Sequence, residues 1–91
     1  MSKEELRKRI DEVDEEIVSL LIRRMKFALE IGELKKSSGE AVRDSGREAA
    51  LLEKVGGMAT HPLAGADLKI IFDTIMSVSR RLQNEKQEKE K

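Results

Sequence analysis

The feature that most constrains the fold is a long segment, residues 4–36, that contains no proline and a single glycine. Apolar residues recur in it at alternating steps of three and four, the spacing of one face of an amphipathic helix. At about 1.5 Å per residue this helix would be roughly 50 Å long. Eight positions form its seam, of which seven are apolar: Ile10, Val13, Ile17, Leu20, Arg24, Phe27, Ile31 and Leu34.

A helix of this length is too long for a solitary domain of 91 residues. A compact globule of that size has a radius of gyration of only about 12 Å. Part of the helix must therefore project, and its apolar seam continues along the projecting part. We expect a second copy of the chain to cover it, in an intertwined homodimer with two-fold symmetry. A simple coiled-coil dimer would satisfy the same argument.

The rest of the chain predicts two further helices and no strand, so the expected fold class is all-α. A loop over 37–43 precedes a short helix that starts near Asp44 or Ser45. His61-Pro62 separates it from a third helix, because the residue before proline disfavours the α region. The third helix spans about 64–83, and its seam holds Leu68, Phe72, Ile75, Ser79 and Leu82.

The expected organisation is a single helical domain over residues 1–83, followed by a polar, highly charged tail over residues 84–91. We expect the tail to fray or to continue as a solvated helix. Within the second helix, Gly56 and Gly57 weaken the C-terminal half, since each glycine costs about 1 kcal/mol against alanine.

Composition excludes several classes of function. Acidic and basic residues both number 18, so the formal net charge is zero, which argues against a nucleic-acid partner. Without cysteine there is no disulfide or thiolate chemistry, and the lone His61 has no cluster of metal ligands around it. No apolar run approaches the ~20 residues that cross a bilayer, and the N-terminus lacks the apolar core of a secretory signal. We therefore expect a soluble cytoplasmic protein.

Arg24 is the one charged residue among the eight seam positions of the first helix. A cation there is costly unless an anion meets it, either a carboxylate of the protein or a bound ligand. Lys35 follows 11 residues later and lies within about 20° of the same helix face. Arg7 lies 17 residues earlier and roughly 100° away, so it is better placed to reach a partner chain.

Further polar residues accompany these cations. Ser79 occupies a seam position of the third helix, and Gln83 follows one turn later. Together with the polar start of the second helix they suit a cavity for a small, multiply anionic ligand. The residues at that start are Asp44, Arg47 and Glu48. Two structural interpretations remain open there: a capping box formed by Ser45 and Glu48, or Asp44 as the N-cap.

At this point the chain resembles the all-helical chorismate mutases, over nearly its whole length. The resemblance rests on four ordered motifs: R-x-x-I-D-x-x-D from Arg7, R-x10-K from Arg24, V-R-D-x-x-R-E from Val42, and S-x-x-x-Q from Ser79. It implies an intertwined dimer of three-helix chains that converts chorismate to prephenate, toward phenylalanine and tyrosine, without a cofactor or metal. Gly56-Gly57 departs from the apolar residues usual in relatives.

The resemblance also implies a role for each matching residue. Arg24 would bind a substrate carboxylate, and Arg7 of the other subunit would bind the anionic end of the substrate. Lys35 would contact a carboxylate and the ether oxygen, to which Gln83 is the second donor. The other matches are Glu48 and Asp44 near the ring hydroxyl, the latter through its backbone, Arg47 as support of the pocket, and Ser79 near the ring carboxylate.

Two alternatives remain open. Isochorismate–pyruvate lyase has the same fold and similar cations, but it lacks the acidic pair that Asp44 and Glu48 provide here. A non-catalytic helical dimerisation module would need no pocket. That alternative predicts that Arg24, Lys35 and Gln83 do not converge.

Overall fold

The computed structural model describes residues 1–90, and these fold into three α-helices without a strand. Helix α1 spans Lys3–Ser38, α2 spans Ser45–Gly57, and α3 spans Gly65–Lys89. The all-α fold class is therefore confirmed. Helix α1 extends two residues further than expected, and α3 continues through most of the polar tail. No helix within residues 1–90 is long and apolar enough to cross a membrane.

Local signals explain where α1 begins and ends. The Ser2 hydroxyl accepts a hydrogen bond from the backbone N–H of Glu5 at 3.1 Å, which caps the N-terminus. At the other end Gly39 adopts a left-handed conformation, with φ of 76°, which a residue without a Cβ tolerates. The backbone N–H of Glu40 then donates to Lys35 O at 2.9 Å. The chain thus leaves the axis of α1 about one helical turn after Lys35.

Helix α3 is central, since it packs against both α1 and α2. Its start lies very close to the end of α2, because a Cβ on Gly65 would come within 2.9 Å of Gly56 O. A Cβ on Gly56 would meet Lys69 Cε at 2.7 Å. The expected weakening at Gly56-Gly57 does not interrupt the helix, which runs through both residues. Glycine at position 65 permits this close approach of the two helices, because the atoms that its Cβ would meet are backbone, whereas the end of the Lys69 side chain can move.

Helix α1 packs on α3 through a stripe that differs from the predicted seam. Ser79 Oγ donates to Met25 Sδ at 3.3 Å, Gln83 Nε2 donates to Ala28 O, and Gln87 Nε2 donates to Gly32 O at 3.3 Å. These α1 positions follow the seam positions by one residue, which is about 100° around the helix. Within a single chain the seam is therefore not the face that packs on α3, and its expected covering by a second copy stays a prediction.

Most of the seam residues are exposed. At the two ends of the seam, Ile10 is 57% exposed and Leu34 is 71% exposed. Among residues 1–90 the buried apolar side chains are Val55 and Met76. The molecule measures 54 × 27 × 14 Å, and its radius of gyration of 16.4 Å exceeds the roughly 12 Å of a compact chain. A single chain thus has a small core and a long uncovered apolar face.

The polar C-terminal segment continues α3 along the last turns of α1. Gln87 is partly buried against Gly32, and Lys86 Nζ lies 3.3 Å from Glu33 Oε1. Lys36 donates a hydrogen bond of 2.9 Å to Glu90, and this contact lowers the pKa of the Glu90 carboxyl. Of the two behaviours expected for the tail, the continued helix is the one that the structure shows.

Candidate active site

A cavity of about 310 Å³ opens between the second half of α1, the start of α2 and the second half of α3. Seven of the eight site residues predicted from the sequence line it. They are Arg24, Lys35, Asp44, Arg47, Glu48, Ser79 and Gln83. The apolar part of the wall comes from Phe27, Ala28, Ile31, Val42, Leu51 and Met76.

Arg24 reaches the cavity from α1 and is partly buried there. Its Nη1 donates to Ser79 Oγ at 2.9 Å, and Ser79 is itself buried on α3. A hydroxyl is a neutral partner and leaves the positive charge uncompensated. Within residues 1–90 no carboxylate oxygen lies within 4.0 Å of the guanidinium. Of the two anions that the sequence allowed, a carboxylate of the same chain is therefore not the answer.

Lys35 enters the same cavity from a position 11 residues after Arg24 on α1. Its Nζ donates to the backbone carbonyl of Val42 at 2.8 Å, and the side chain is partly buried. The ammonium group is therefore held against the loop after α1 and does not extend freely into water. Like Arg24, it has no carboxylate partner in the described part of the chain.

Gln83 is 7% exposed and lies against the backbone of α1. Its Nε2 donates to Ala28 O at 2.5 Å. A primary amide has two N–H groups, so a second donor remains after this bond is made. The backbone contact therefore fixes the position of the amide and leaves one N–H for a ligand.

The start of α2 resolves the two capping interpretations. Asp44 is the N-cap, since its Oδ1 accepts the backbone N–H of Arg47 at 3.0 Å. The capping box of Ser45 and Glu48 is therefore wrong. Glu48 turns instead into the cavity, where Arg80 Nη1 lies 2.5 Å from its Oε1.

Arg80 is the charged residue of the cavity that the sequence analysis missed. Arg80 lies four residues after Met76, so a helical wheel places it on the face of α3 that carries Met76, Ser79 and Gln83. Its position directly after a polar seam residue was the available signal. What it contacts was not readable, because Glu48 is 32 residues away in the sequence.

The electrostatics of the lining favour a dianion. Four cationic and two carboxylate side chains face the cavity, for a net charge of two plus. Arg80 and Glu48 largely compensate each other, and Asp44 is engaged as a helix cap. Arg24 and Lys35 are left with neutral partners only. No group of three or more possible metal-ligating side chains occurs within residues 1–90.

Arg7 does not line this cavity. It is exposed on the projecting part of α1, roughly 25 Å along the helix axis from Arg24. One chain therefore does not bring it to its own site. Its donation by a second subunit stays a prediction.

Comparison with known proteins gives a consistent match. The family described as chorismate mutase type II matches residues 6–84. A bifunctional chorismate mutase/prephenate dehydratase of Aquifex aeolicus is 45% identical over 51 residues, which is 56% of this chain. The chain spans only 14% of the length of that curated relative.

Two solved structures are similar over nearly the whole chain. Chorismate mutase (form II) from Thermus thermophilus superposes with a TM-score of 0.86 at 30% identity, covering 89% of this chain and 92% of that one. The chorismate mutase of Helicobacter pylori, solved in complex with prephenate, superposes with a TM-score of 0.83 at 28% identity. That match covers 90% of this chain and 89% of the other.

Proposed function

The chain belongs to the chorismate mutase type II family, and from this premise we propose that it is a chorismate mutase that rearranges chorismate to prephenate in aromatic amino acid biosynthesis. The observation that carries the proposal is the cavity with a net charge of two plus, in which Arg24 and Lys35 have no carboxylate partner. Chorismate is a dianion, so its two carboxylates meet this need.

The reaction needs orientation more than chemical groups. It is a unimolecular pericyclic rearrangement, in which the ether C–O bond breaks as the new C–C bond forms. No nucleophile, proton shuttle, metal or cofactor takes part. The substrate must be folded so that the two carbons approach, and cationic clamps on its carboxylates impose that shape. Arg24, supported by Ser79, is one clamp, and Arg47 supports the far wall.

Charge on the ether oxygen is the second element. As the C–O bond breaks, negative charge develops on that oxygen. Lys35 and the remaining N–H of Gln83 are the donors available to it, and they stabilise the transition state more than the ground state. Glu48 accepts a hydrogen bond from the ring hydroxyl, and Arg80 compensates its charge beside a dianionic ligand. Asp44 contacts the same ring hydroxyl through its backbone.

The non-catalytic alternative predicts that Arg24, Lys35 and Gln83 lie apart. They line one cavity, so that prediction is wrong. The direct test of the enzyme proposal is the loss of chorismate absorbance with purified protein. Since the chain has no Trp or Tyr, its own ultraviolet background is low. A folded protein without turnover would contradict the proposal, and pyruvate release from isochorismate in its place would identify a lyase.

The working unit in this proposal is a homodimer. The exposed seam of α1 and the small core of a single chain both support a partner subunit. An antiparallel arrangement about a two-fold axis would carry the N-terminal part of one α1 toward the other chain's cavity, where Arg7 would add a cation. The cytoplasmic location expected from the sequence also stays a prediction.

Mixed dimers test the donation of Arg7. In a dimer of one Arg7→Ala chain and one Arg24→Ala chain, one site has both arginines and the other has neither. Co-refolding equal amounts of the two inactive variants should therefore restore about a quarter of wild-type activity, since half of the dimers are mixed. Assays before and after mixing measure it. No recovery, with mixed dimers shown by native mass spectrometry, would contradict an arginine from the other subunit.

The pH profile tests Gln83. An amide donates a hydrogen bond at any pH, so kcat/KM is expected to change little between pH 5 and 7.5. Gln83→Glu should be different: the introduced carboxyl donates only when protonated, so activity should fall as pH rises through its pKa. Measuring both profiles under identical conditions gives the comparison. A steep fall for the wild type over this range would exclude the proposed role of Gln83.

A further inference from the structure

Gly32 is the buried residue of α1, and it lies directly beneath the Gln83 side chain. A Cβ built on Gly32 would be 3.0 Å from Gln83 Cγ, 3.4 Å from its Cβ and 3.5 Å from its Cδ. The first distance is tighter than ordinary van der Waals contact. A side chain at position 32 would therefore push the Gln83 side chain away from α1 by a few tenths of an ångström.

The backbone conformation does not explain this glycine. Gly32 lies in the interior of α1, where glycine is less favourable than alanine. It has no positive φ, in contrast to Gly39 at the helix end. Gly57, also helical, has no atom within 4 Å of a built Cβ, so a methyl group there enters open space. Position 32 is thus distinguished by the Gln83 side chain, which packs directly against it.

The glycine permits a specific hydrogen-bond arrangement. With Gln83 lying flat on α1, its Nε2 reaches Ala28 O at 2.5 Å. One turn later Gln87 Nε2 reaches Gly32 O at 3.3 Å. The Ala28 carbonyl accepts the nitrogen end of the Gln83 amide and disfavours the flipped amide, which would place two oxygens together. Because the Gln83 side chain lies flat over Gly32, the distance of its amide from the α1 backbone is fixed. The orientation of the amide nitrogen and oxygen is fixed as well.

We propose that Gly32 is a positioning residue that sets the Gln83 amide for the ether oxygen. This inference rests on the proposed function, since it assigns Gln83 as the donor. A donor that stabilises developing charge is sensitive to displacements of a fraction of an ångström, and the methyl group of alanine would force Gln83 to shift by a few tenths of an ångström. The carboxylate clamps lie on other parts of the wall and do not depend on residue 32.

The first experiment compares Gly32→Ala with the control Gly57→Ala. Gly32→Ala is expected to lower kcat by about 10-fold while KM stays within about threefold, because a transition-state donor is displaced and the clamps remain. Gly57→Ala should leave both constants near those of the wild type. A Gly32→Ala enzyme with unchanged kcat would overturn the inference.

The second experiment repeats Gly32→Ala in a Gln83→Ala background. Alanine at position 83 has no Cγ, so the 3.0 Å contact disappears and the 3.4 Å contact with its Cβ remains. Gly32→Ala should then leave kcat unchanged relative to Gln83→Ala, and it should raise Tm through better helix propensity. In the wild-type background it should lower Tm. An equal loss of kcat in both backgrounds would mean a general packing role and would overturn positioning through Gln83.

The two proposals fail differently. If the wild type is folded but inactive, while the Tm effect of Gly32→Ala still changes sign with residue 83, the proposed function is wrong and the contact is real. If the wild type is active and the effects of the two substitutions are additive, chorismate mutase activity stands and the positioning role of Gly32 is wrong.

Discussion

Replacing Lys35 with methionine is expected to lower kcat by roughly 10²- to 10³-fold, the scale of removing one donor from an oxyanion site. Lys35 is a partly buried cation whose partner in the chain is the neutral carbonyl of Val42. Methionine keeps much of the length and apolar contact of the lysine stem and removes the charge. Initial rates of chorismate loss at saturating substrate measure the effect.

The neighbouring lysine supplies the control. Lys36 follows directly on α1, but its Nζ contacts Glu90 at 2.9 Å and it does not line the cavity. Lys36→Met removes the same charge from the same turn of helix and should keep near wild-type kcat. If both variants lost activity equally, the effect would come from the end of α1 and not from a donor at the ether oxygen.

Arg24→Leu is expected to lose roughly 10³-fold or more in kcat/KM without a loss of thermal stability. Activity falls because a guanidinium that clamps a substrate carboxylate is gone. Stability holds or rises because leucine suits the apolar seam, and replacing a partly buried charge that has no carboxylate partner with an apolar group removes its desolvation cost. Ser79 keeps a partner, since its hydroxyl donates to Met25 Sδ at 3.3 Å. Steady-state kinetics and a thermal melt measure the two effects.

Arg23→Leu is the matched control for this experiment. Arg23 is exposed and does not line the cavity. The same substitution one position earlier should leave kcat/KM close to that of the wild type. A Tm of Arg24→Leu well below the wild-type value would contradict the argument, because it would mean that Arg24 forms a structural ion pair, for example with a carboxylate of a second subunit.

Much of the candidate site was accessible from the sequence because helices repeat regularly. Once α1 and α3 are recognised, the spacing of Arg24 and Lys35, and of Ser79 and Gln83, places each pair toward one side of its helix. Polar residues at otherwise apolar positions then mark a cavity. The family motifs aligned these pairs with each other, which spacing alone does not do.

Two features were not accessible in this way. The periodicity of α1 marks a seam that is expected to face a second copy, but it does not show that α3 packs on the stripe through Met25, Ala28 and Gly32. Glu48 suited a capping box with Ser45, but its carboxylate lies against Arg80. In both cases the local pattern permitted more than one arrangement. Contacts between distant segments selected one of them.

The sequence by itself determined the three helices, where each begins to within about one residue, and the residues that share a face, because hydrogen bonds and caps within a helix join residues only three or four positions apart. The tertiary structure alone decided which face of α1 meets α3, which partner Glu48 takes, and that Gln83 lies on the backbone above Gly32. Those outcomes depend on contacts across 32 to 55 positions, where the fit of one helix surface on another selects among faces that periodicity leaves equivalent.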